Sequence, residues 1–270
     1  MIGNPVSHSK SPLIHDAFAR AAGQRMRYQR LLAPLDGFAA TAQAFAETNG
    51  LGLNVTIPFK LEAFALASEH SARAHAARAC NTLAWRGDHW LGDNTDGAGL
   101  VRDLVRNLGE TIAGRDLLVL GAGGAAHGIV GALLAEAPRR LVIANRTHAR
   151  AAELAARFER DGPIGAQALD ALAGQRFDIV VNATSLGLGP PVPPGLWPRR
   201  VFAPRALAYD LIYADQATPF LTWASAEGAS RVTDGLGMLI EQAAESFYLW
   251  RGVRPETGPV FRLLRAARRE

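Results

Sequence analysis

Residues 116–144 read DLLVLGAGGAAHGIVGALLAEAPRRLVIA, and the fold is decided there. DLLVL (116–120) is a continuous apolar run, the pattern of a parallel strand covered on both faces. A glycine-rich turn follows at once and leads into a helix-like segment, after which LVIA (141–144) repeats the strand pattern. Gly121-Ala122-Gly123-Gly124-Ala125-Ala126 fits the spacing GxGxxA. In that pattern Gly121 permits the tight turn, Gly123 lets backbone approach a pyrophosphate, and Ala126 lets the helix pack closely on the strand. The helix N-terminus then offers free N–H groups and the positive end of its dipole to phosphates. A glycine pattern alone is weak and also fits an ordinary α/β turn. Strand before, helix after and a second strand at the right distance make this a dinucleotide-binding unit.

The end of the second strand selects the cofactor. A site for NAD places Asp or Glu there, about 20 residues on, against the ribose 2′-hydroxyl. This chain has Asn145-Arg146-Thr147, with Arg150 one helical turn beyond Arg146. Arg146 suits a 2′-phosphate and can lie against adenine, while Thr147 can donate from its hydroxyl and cap the next helix. The expected cofactor is NADP. The competing reading makes Arg146 and Arg150 a solvated helix face.

Working outward, FDIVVNAT (177–184) and ALAYDLIY (206–213) continue the strand series. The helix after Thr147 is expected to bury Ala151, Leu154, Ala155 and Phe158. Toward the N-terminus, Ser11-Pro12 reads as N-cap and first-turn proline of a helix burying Ile14, Ala17, Phe18 and Ala21 and ending at Gly23. MRYQRLL (26–32) and LGLNVTI (51–57) read as strands, the second stopped by Pro58. CNTLAWRGDHWLGD (80–93) holds two short strands around Arg86-Gly87-Asp88. DGAGLVRDLVRNLG (96–109) reads as a helix with Leu100, Leu104, Val105 and Leu108 on one face. Alternating strands and helices predict an α/β protein with mostly parallel sheets, in which residues from about 110 to 230 make a doubly wound nucleotide-binding domain.

The chain has 270 residues, of which 49% are hydrophobic, so a sizeable core is available. No apolar run is long enough to span a bilayer, and MIGNPVSHSKSP has no signal-peptide core. A single cysteine, Cys80, rules out an internal disulfide framework and a multi-thiolate metal site, and a cytoplasmic location is the default. Cys80 itself reads as a small buried hydrophobe. The net charge of +4 comes from scattered basic residues. Apart from the terminal RLLRAARRE, which reads as a solvated helix end, they form no nucleic-acid footprint. The seven histidines are dispersed without ligand spacing, so no metal is expected. His8 and His15 read as structural, and Tyr248 and Trp250 as packing residues.

The polar clusters of the N-terminal half carry a more specific signal. GNPVSHSKSPLIH (3–15), NVTIPFK (54–60), CNTL (80–83) and GDNTDG (92–97), followed in order by GAGGAA, NRT, NATSLG (182–187), YDLIY (209–213) and DGLGMLIEQAA (234–244), resemble the successive signatures of the shikimate dehydrogenase family over essentially the whole chain. The resemblance implies an N-terminal α/β substrate domain over residues 1–98, completed by C-terminal helices from 232–270, a doubly wound Rossmann-type NADP domain over 99–231 and a cleft between them. It implies reduction of 3-dehydroshikimate to shikimate, in the route to chorismate and the aromatic amino acids, by a monomer or homodimer. It also implies residue roles. Ser9 and Ser11 would bind the substrate carboxylate, and Thr56, Asn81, Asp96 and Gln242 its hydroxyls, with Tyr213 nearby. Lys60, paired with Asp96, would be the acid/base. Gly121 to Ala126, Asn145 to Arg150, Thr184, Leu211 and Gly235 would contact NADP. These types suit the reaction, because a hydride added to a ketone leaves an alkoxide that a lysine can protonate.

Plainer roles exist for the same residues: Ser11 and Asp96 as helix caps, Lys60 as a solvated first-turn lysine. The family signatures favour the functional reading. Two departures stand out. The chain starts only two residues before Gly3, and His127 occupies an unusual place after GAGGAA. Competing functions are a quinate-oxidising relative with relaxed cofactor use and a shikimate-sensing regulator. The second would be expected to have lost Lys60, Asp96 or the glycine loop, all of which are present.

Overall fold

The computed structural model describes residues 1–187 and 195–266, so the end of the basic C-terminal run lies outside the described residues. The chain forms two compact units, one of residues 1–100 and 239–270, the other of residues 101–238.

In the first unit β1 (Ile2–Gly3) pairs in parallel with β2 (Leu31–Leu32), and α1 (Ser11–Ala21) lies between them in sequence. Then come α2 (Phe38–Glu47), β3 (Gly52–Asn54), α3 (Lys60–Leu66), β4 (Glu69–His70), α4 (Ala72–Ala77), β5 (Thr82–Trp85), β6 (Trp90–Asp93) and α5 (Asp96–Arg102). The sheet order is β3-β5-β6-β4. Strands β5 and β6 form the expected antiparallel hairpin. The core gathers Ile2, Phe38, Leu53, Val55, Phe59, Leu83 and Trp90, with Phe38 stacked on Phe59 at 5.1 Å.

Several expectations change here. Only Leu31–Leu32 of MRYQRLL is a strand. Ser11 is the first helical residue of α1 and not its cap; Lys10 occupies the cap position and its side chain does not cap the helix, and the Ser9 hydroxyl oxygen accepts from Ser11 N at 3.2 Å. The buried face of α1 is Ser11, Ile14, His15, Phe18 and Ala19, so Ala17 and Ala21 are not on it. His15 turns inward because its Nε2 meets Asn54 Oδ1 at 3.1 Å and its ring stacks on Tyr28 at 4.2 Å. Burial pushes its pKa down to about 3. Gly23 ends the helix at φ +62°, the left-handed position glycine accepts most readily. Tyr248 is 48% exposed rather than packed, beneath the Arg254 guanidinium. Trp250 does pack, donating from Nε1 to Leu83 O at 3.0 Å.

The second unit is a six-stranded sheet, parallel throughout. The helix α5 runs into a π-helical turn, Asp103–Asn107, where one continuous α-helix was expected. That widening leaves Asp103 buried, its carboxylate accepting from Tyr209 Oη at 2.6 Å and Asn107 Nδ2 at 2.8 Å. Then follow β7 (Asp116–Leu120), α6 (Gly124–Ala135), β8 (Arg140–Ala144), α7 (His148–Arg157), β9 (Ile164–Gln167), β10 (Phe177–Asn182), β11 (Phe202–Asp210), α8 (Pro219–Ala226) and β12 (Arg231–Thr233). The order β12-β11-β10-β7-β8-β9 reverses direction between β7 and β10. Such a switch point opens a crevice at the carboxyl ends of the strands. All five residues of β7 are buried, as its unbroken apolar run requires. Ala151, Leu154, Ala155 and Phe158 are buried as the periodicity of α7 demands. Strands β9 and β12 carry no such signal, being edge strands whose residues are half-buried or exposed.

The chain leaves the second unit within α9 (Leu236–Arg251), which is followed by α10 (Gly258–Ala266). Among the described residues no helix is long and apolar enough to cross a membrane.

Two outcomes follow. Because the folded-state pKa of His15 lies below its unfolded value, its contribution to stability is full above about pH 6.5 and is lost as pH falls toward about 3. Unfolding free energy measured in urea should therefore fall across that range, and less steeply in His15→Leu. Gly92 in β6 passes the buried Cys80 so closely that a Cβ would stand 2.5 Å from Sγ and 2.9 Å from the Ala67 Cβ. Gly92→Ala should cost about 1–3 kcal/mol by overpacking, and adding Cys80→Ala should recover part of that loss.

Candidate active site

Lys60 and Asp96 form an ion pair, with side chains only 14% and 6% exposed. Lys60 is the first residue of α3, where a cation faces the positive end of the helix dipole and gains nothing from it. The Asp96 carboxylate offsets that placement. The buried Phe59 anchors the preceding turn, donating from its N–H to Thr56 O at 3.0 Å, and Cys80 N donates to Lys60 O at 2.9 Å. These bonds fix the start of α3 beside the residues leading into β5. Cys80 itself is fully buried, and burial pushes its thiol up to about 12, which makes it a poor nucleophile.

The other Asp96 oxygen accepts from Asn81 Nδ2 at 2.8 Å, and the same amide donates to Gln242 Oε1 at 3.2 Å. The orientation of the Asn81 amide is determined, because its Oδ1 accepts from the backbone N–H of Thr95 at 2.8 Å, a donor that cannot reverse. Lys60, Asp96, Asn81 and Gln242 thus make one bonded cluster within the first unit. Ser9 and Ser11 are both buried. The Ser9 carbonyl accepts from Arg30 Nη2 at 2.6 Å, which holds the loop before α1. Thr56 is half-buried, its methyl lying over Gly3, and no hydrogen bond joins its side chain to the Lys60 cluster. Tyr213 belongs to the second unit and is half-buried.

Sequence reasoning missed the residues beneath this cluster. Asn54 and Thr82 face each other across β3 and β5. Asn54 Nδ2 donates to Ser246 Oγ at 2.8 Å and to Thr82 Oγ1 at 3.2 Å, and Thr82 Oγ1 donates to Asn81 Oδ1 at 2.9 Å. Tyr28 Oη donates to Asn54 Oδ1 at 2.7 Å. The available signal was a pair of polar residues at strand positions otherwise filled by apolar ones. The loop before Asp96 is also secured. Arg73 grips Asp93 with two bonds of 2.7 and 2.6 Å, and Ser71 donates to the same carboxylate at 2.5 Å. Burial opposes the charge of Asp93, but these donors and Asn94 N–H hold its carboxyl below the usual range.

In the second unit Gly121 has φ +108°, and a Cβ there would stand 2.9 Å from Ala183 O. This turn therefore requires glycine on both conformational and steric grounds. Gly123 is exposed, with nothing within 4 Å of its Cβ direction, and Ala126 is fully buried. Open backbone, a helix N-terminus and a close-packed alanine are what a pyrophosphate needs. Arg146, Thr147 and Arg150 are exposed at the start of α7, and Thr147 makes no side-chain capping bond. Asn145 Nδ2 donates to Thr147 O at 3.0 Å, shaping the turn. Thr184 lies over Gly121. Gly235 lies against Leu211 O, where a Cβ would overlap that oxygen, and donates from its N–H to Ile212 O at 3.0 Å. His127 Nδ1 stands 3.4 Å from Arg157 Nη1. Among the described residues, no cluster of three or more His, Cys, Asp and Glu is placed to hold a metal.

Comparison with known proteins agrees in order along the chain. Residues 1–83 match the shikimate dehydrogenase substrate binding domain, 103–187 the shikimate / quinate 5-dehydrogenase family, and 235–264 the shikimate 5'-dehydrogenase C-terminal domain. A shikimate dehydrogenase (NADP(+)) of Janthinobacterium sp. (strain Marseille) is 57% identical over 265 residues, covering 98% of this chain and 96% of that one. One from Nitrosospira multiformis is 54% identical, covering 99% and 96%. Among solved structures, an Ael1 enzyme from Pseudomonas putida superposes with a TM-score of 0.88 at 47% identity, covering 97% and 96%. Shikimate 5-dehydrogenase from Thermus thermophilus, in complex with NADP(H) and shikimate, gives 0.83 at 31%, covering 98% and 97%. Matched in all three of its segments and more than half identical to such relatives over nearly its full length, the chain belongs to the shikimate dehydrogenase family.

Proposed function

We propose that the chain catalyses the reversible, NADPH-dependent reduction of 3-dehydroshikimate to shikimate, within aromatic amino acid biosynthesis in the cytoplasm. The observation that carries this reading is the largely buried Lys60–Asp96 pair, bonded through Asn81 to Gln242. It is a proton donor set among groups that read hydroxyls. The relatives named above act with NADP(+), and the second unit suits that cofactor. Its glycine turn leaves backbone open at Gly123, and the second strand ends in Asn145-Arg146-Thr147 rather than in a carboxylate.

NADPH, when bound by these residues of the second unit, would supply the hydride for the carbonyl carbon. Lys60, as the ammonium, polarises the carbonyl oxygen and gives it a proton from Nζ as negative charge develops there. In the oxidation direction neutral Lys60 takes the hydroxyl proton as the hydride leaves carbon. Asp96 holds Lys60 and accepts from a substrate hydroxyl. Asn81, Gln242 and Thr56 bond the remaining hydroxyls, Tyr213 adds a further contact, and the Ser9 and Ser11 hydroxyls take the carboxylate. A site built around so many hydroxyl partners rejects analogues lacking them, because its own polar groups would be left unpaired. Gly121 to Ala126, Thr184, Leu211 and Gly235 hold the dinucleotide, and Asn145 to Arg150 its 2′-phosphate.

Initial rates for shikimate or quinate with NADP⁺ or NAD⁺ test this directly. Rapid turnover is expected only with shikimate and NADP⁺. Comparable rates with quinate or NAD⁺ would favour the dual-specificity relatives, and shikimate binding without turnover would favour a sensor. Lys60→Ala should lower kcat by at least about a hundredfold while shikimate binding is largely kept; near-normal turnover would remove Lys60 from the mechanism. Arg146→Ala should raise KM for NADP⁺ about tenfold with little change for NAD⁺, and equal effects on both would contradict the 2′-phosphate assignment.

A further inference from the structure

Asp210 ends β11 and is fully buried. Its carboxylate is held by three neutral donors: Thr218 Oγ1 at 2.5 Å, Asn182 Nδ2 at 2.9 Å and Ile212 N at 3.1 Å. Burying a carboxylate is unfavourable unless strong donors satisfy it, and burial does push this carboxyl above the usual range. A neutral side chain would fill the space at lower cost, so the carboxylate calls for a reason beyond packing.

Its partners supply one. Asn182 ends β10 directly opposite Asp210. With its donor nitrogen committed to Asp210, Asn182 turns its Oδ1 to accept from Thr184 N at 3.2 Å and Thr184 Oγ1 at 2.7 Å. Thr184 in turn lies over Gly121, with Cγ2 3.1 Å from where a Cβ would stand. On the other side Ile212 follows Leu211, whose N–H donates to Asn182 O at 3.0 Å and whose carbonyl borders Gly235. Thr218 begins the helix that follows this loop, and its Oγ1 also accepts from Leu221 N at 3.3 Å. One carboxylate therefore braces the segments carrying Thr184 and Leu211, each in contact with a glycine of the cofactor site. All lie within the second unit, at the carboxyl ends of its strands, where such sheets bind dinucleotides.

We propose that Asp210, acting through Asn182 and Thr218, is a positioning residue for the cofactor: it holds the 183–187 and 211–218 loops in the shape that receives NADP, without touching the dinucleotide. This rests on the assignment of Thr184, Leu211 and their neighbouring glycines to NADP. The side-chain chemistry grades the variants. Asp210→Asn retains an oxygen for Asn182 and Ile212, but its amide nitrogen faces Thr218, whose hydroxyl must then reverse from donor to acceptor. Asp210→Ala removes all three acceptor contacts.

The test is steady-state kinetics of both variants, with Arg146→Ala measured alongside. Asp210→Ala is expected to raise KM for NADP⁺ at least about tenfold and Asp210→Asn about threefold to fivefold. KM for shikimate should rise by a smaller factor than KM for NADP⁺, since, of its proposed ligands, Ser9, Ser11, Thr56, Asn81, Asp96 and Gln242 belong to the other unit and Tyr213 alone lies in the 211–218 loop. A merely structural role predicts something different: a smaller folded fraction lowers the apparent kcat and leaves both KM values unmoved. That pattern overturns the proposal. An unchanged KM for NADP⁺ in Asp210→Ala beside a raised one in Arg146→Ala also overturns it while the cofactor assignment stands. No change in either variant overturns both. If Asp210→Ala does not accumulate as folded protein, Asp210→Asn decides by itself, and an unmoved KM for NADP⁺ refutes the proposal.

Discussion

The requirement that buried polar groups find partners inside the protein organises the first unit. Asn54, Asn81, Thr82, Thr95, Asp96, Gln242 and Ser246 are all buried, and each of their hydrogen bonds limits the next. Thr95 N–H sets the Asn81 amide, which sets the donor that Asp96 receives, which leaves the other Asp96 oxygen for Lys60. In a medium of low dielectric an unmatched member is costly, so such a network is satisfied as a whole or not stable at all. The proposed acid/base pair is therefore held in register by Asn81, whose own orientation is set by the backbone of Thr95, a residue with no proposed contact to the substrate.

The second unit solves a related problem with backbone. Gly121 and Gly235 leave no room for a side chain, because a carbonyl oxygen already occupies that space. The neighbouring loops are then secured by Asn182, Asp210 and Thr218. Burial and hydrogen bonds to the Asp210 carboxylate hold these loops at the carboxyl ends of the strands.

What could be read from the sequence follows from these two designs. The apolar runs of β7 and β8 and the glycine turn were legible because a doubly covered strand and a tight turn each demand a particular residue type. The strands β9 and β12 were not, since edge position removes the apolar demand that makes a strand visible. The face of α1 was misjudged by periodicity, because Asn54 and Tyr28 draw in a polar residue, His15, that a hydrophobic count places outside. The π-helical turn was hidden for the same reason: Asp103 turns inward to meet Tyr209, which is 106 residues distant in the chain. The Lys60, Asp96, Asn81 and Gln242 cluster was legible only as a set of family signatures. Asn54, Thr82 and Ser246 escaped notice because their importance lies in a partnership that no local window contains.

That long-range partnership bears on how the protein is made. Asn54 and Ser246 are 192 positions apart, and α9 and α10 belong to the same compact unit as the first hundred residues. The second unit, by contrast, is a single unbroken segment, residues 101–238. During synthesis the nucleotide-binding half has all its strands before the polar row under Asn81 has its last member. Folding domain by domain as the chain emerges would complete the cofactor half first, while residues 1–100 wait for helical residues that follow the whole of the second unit.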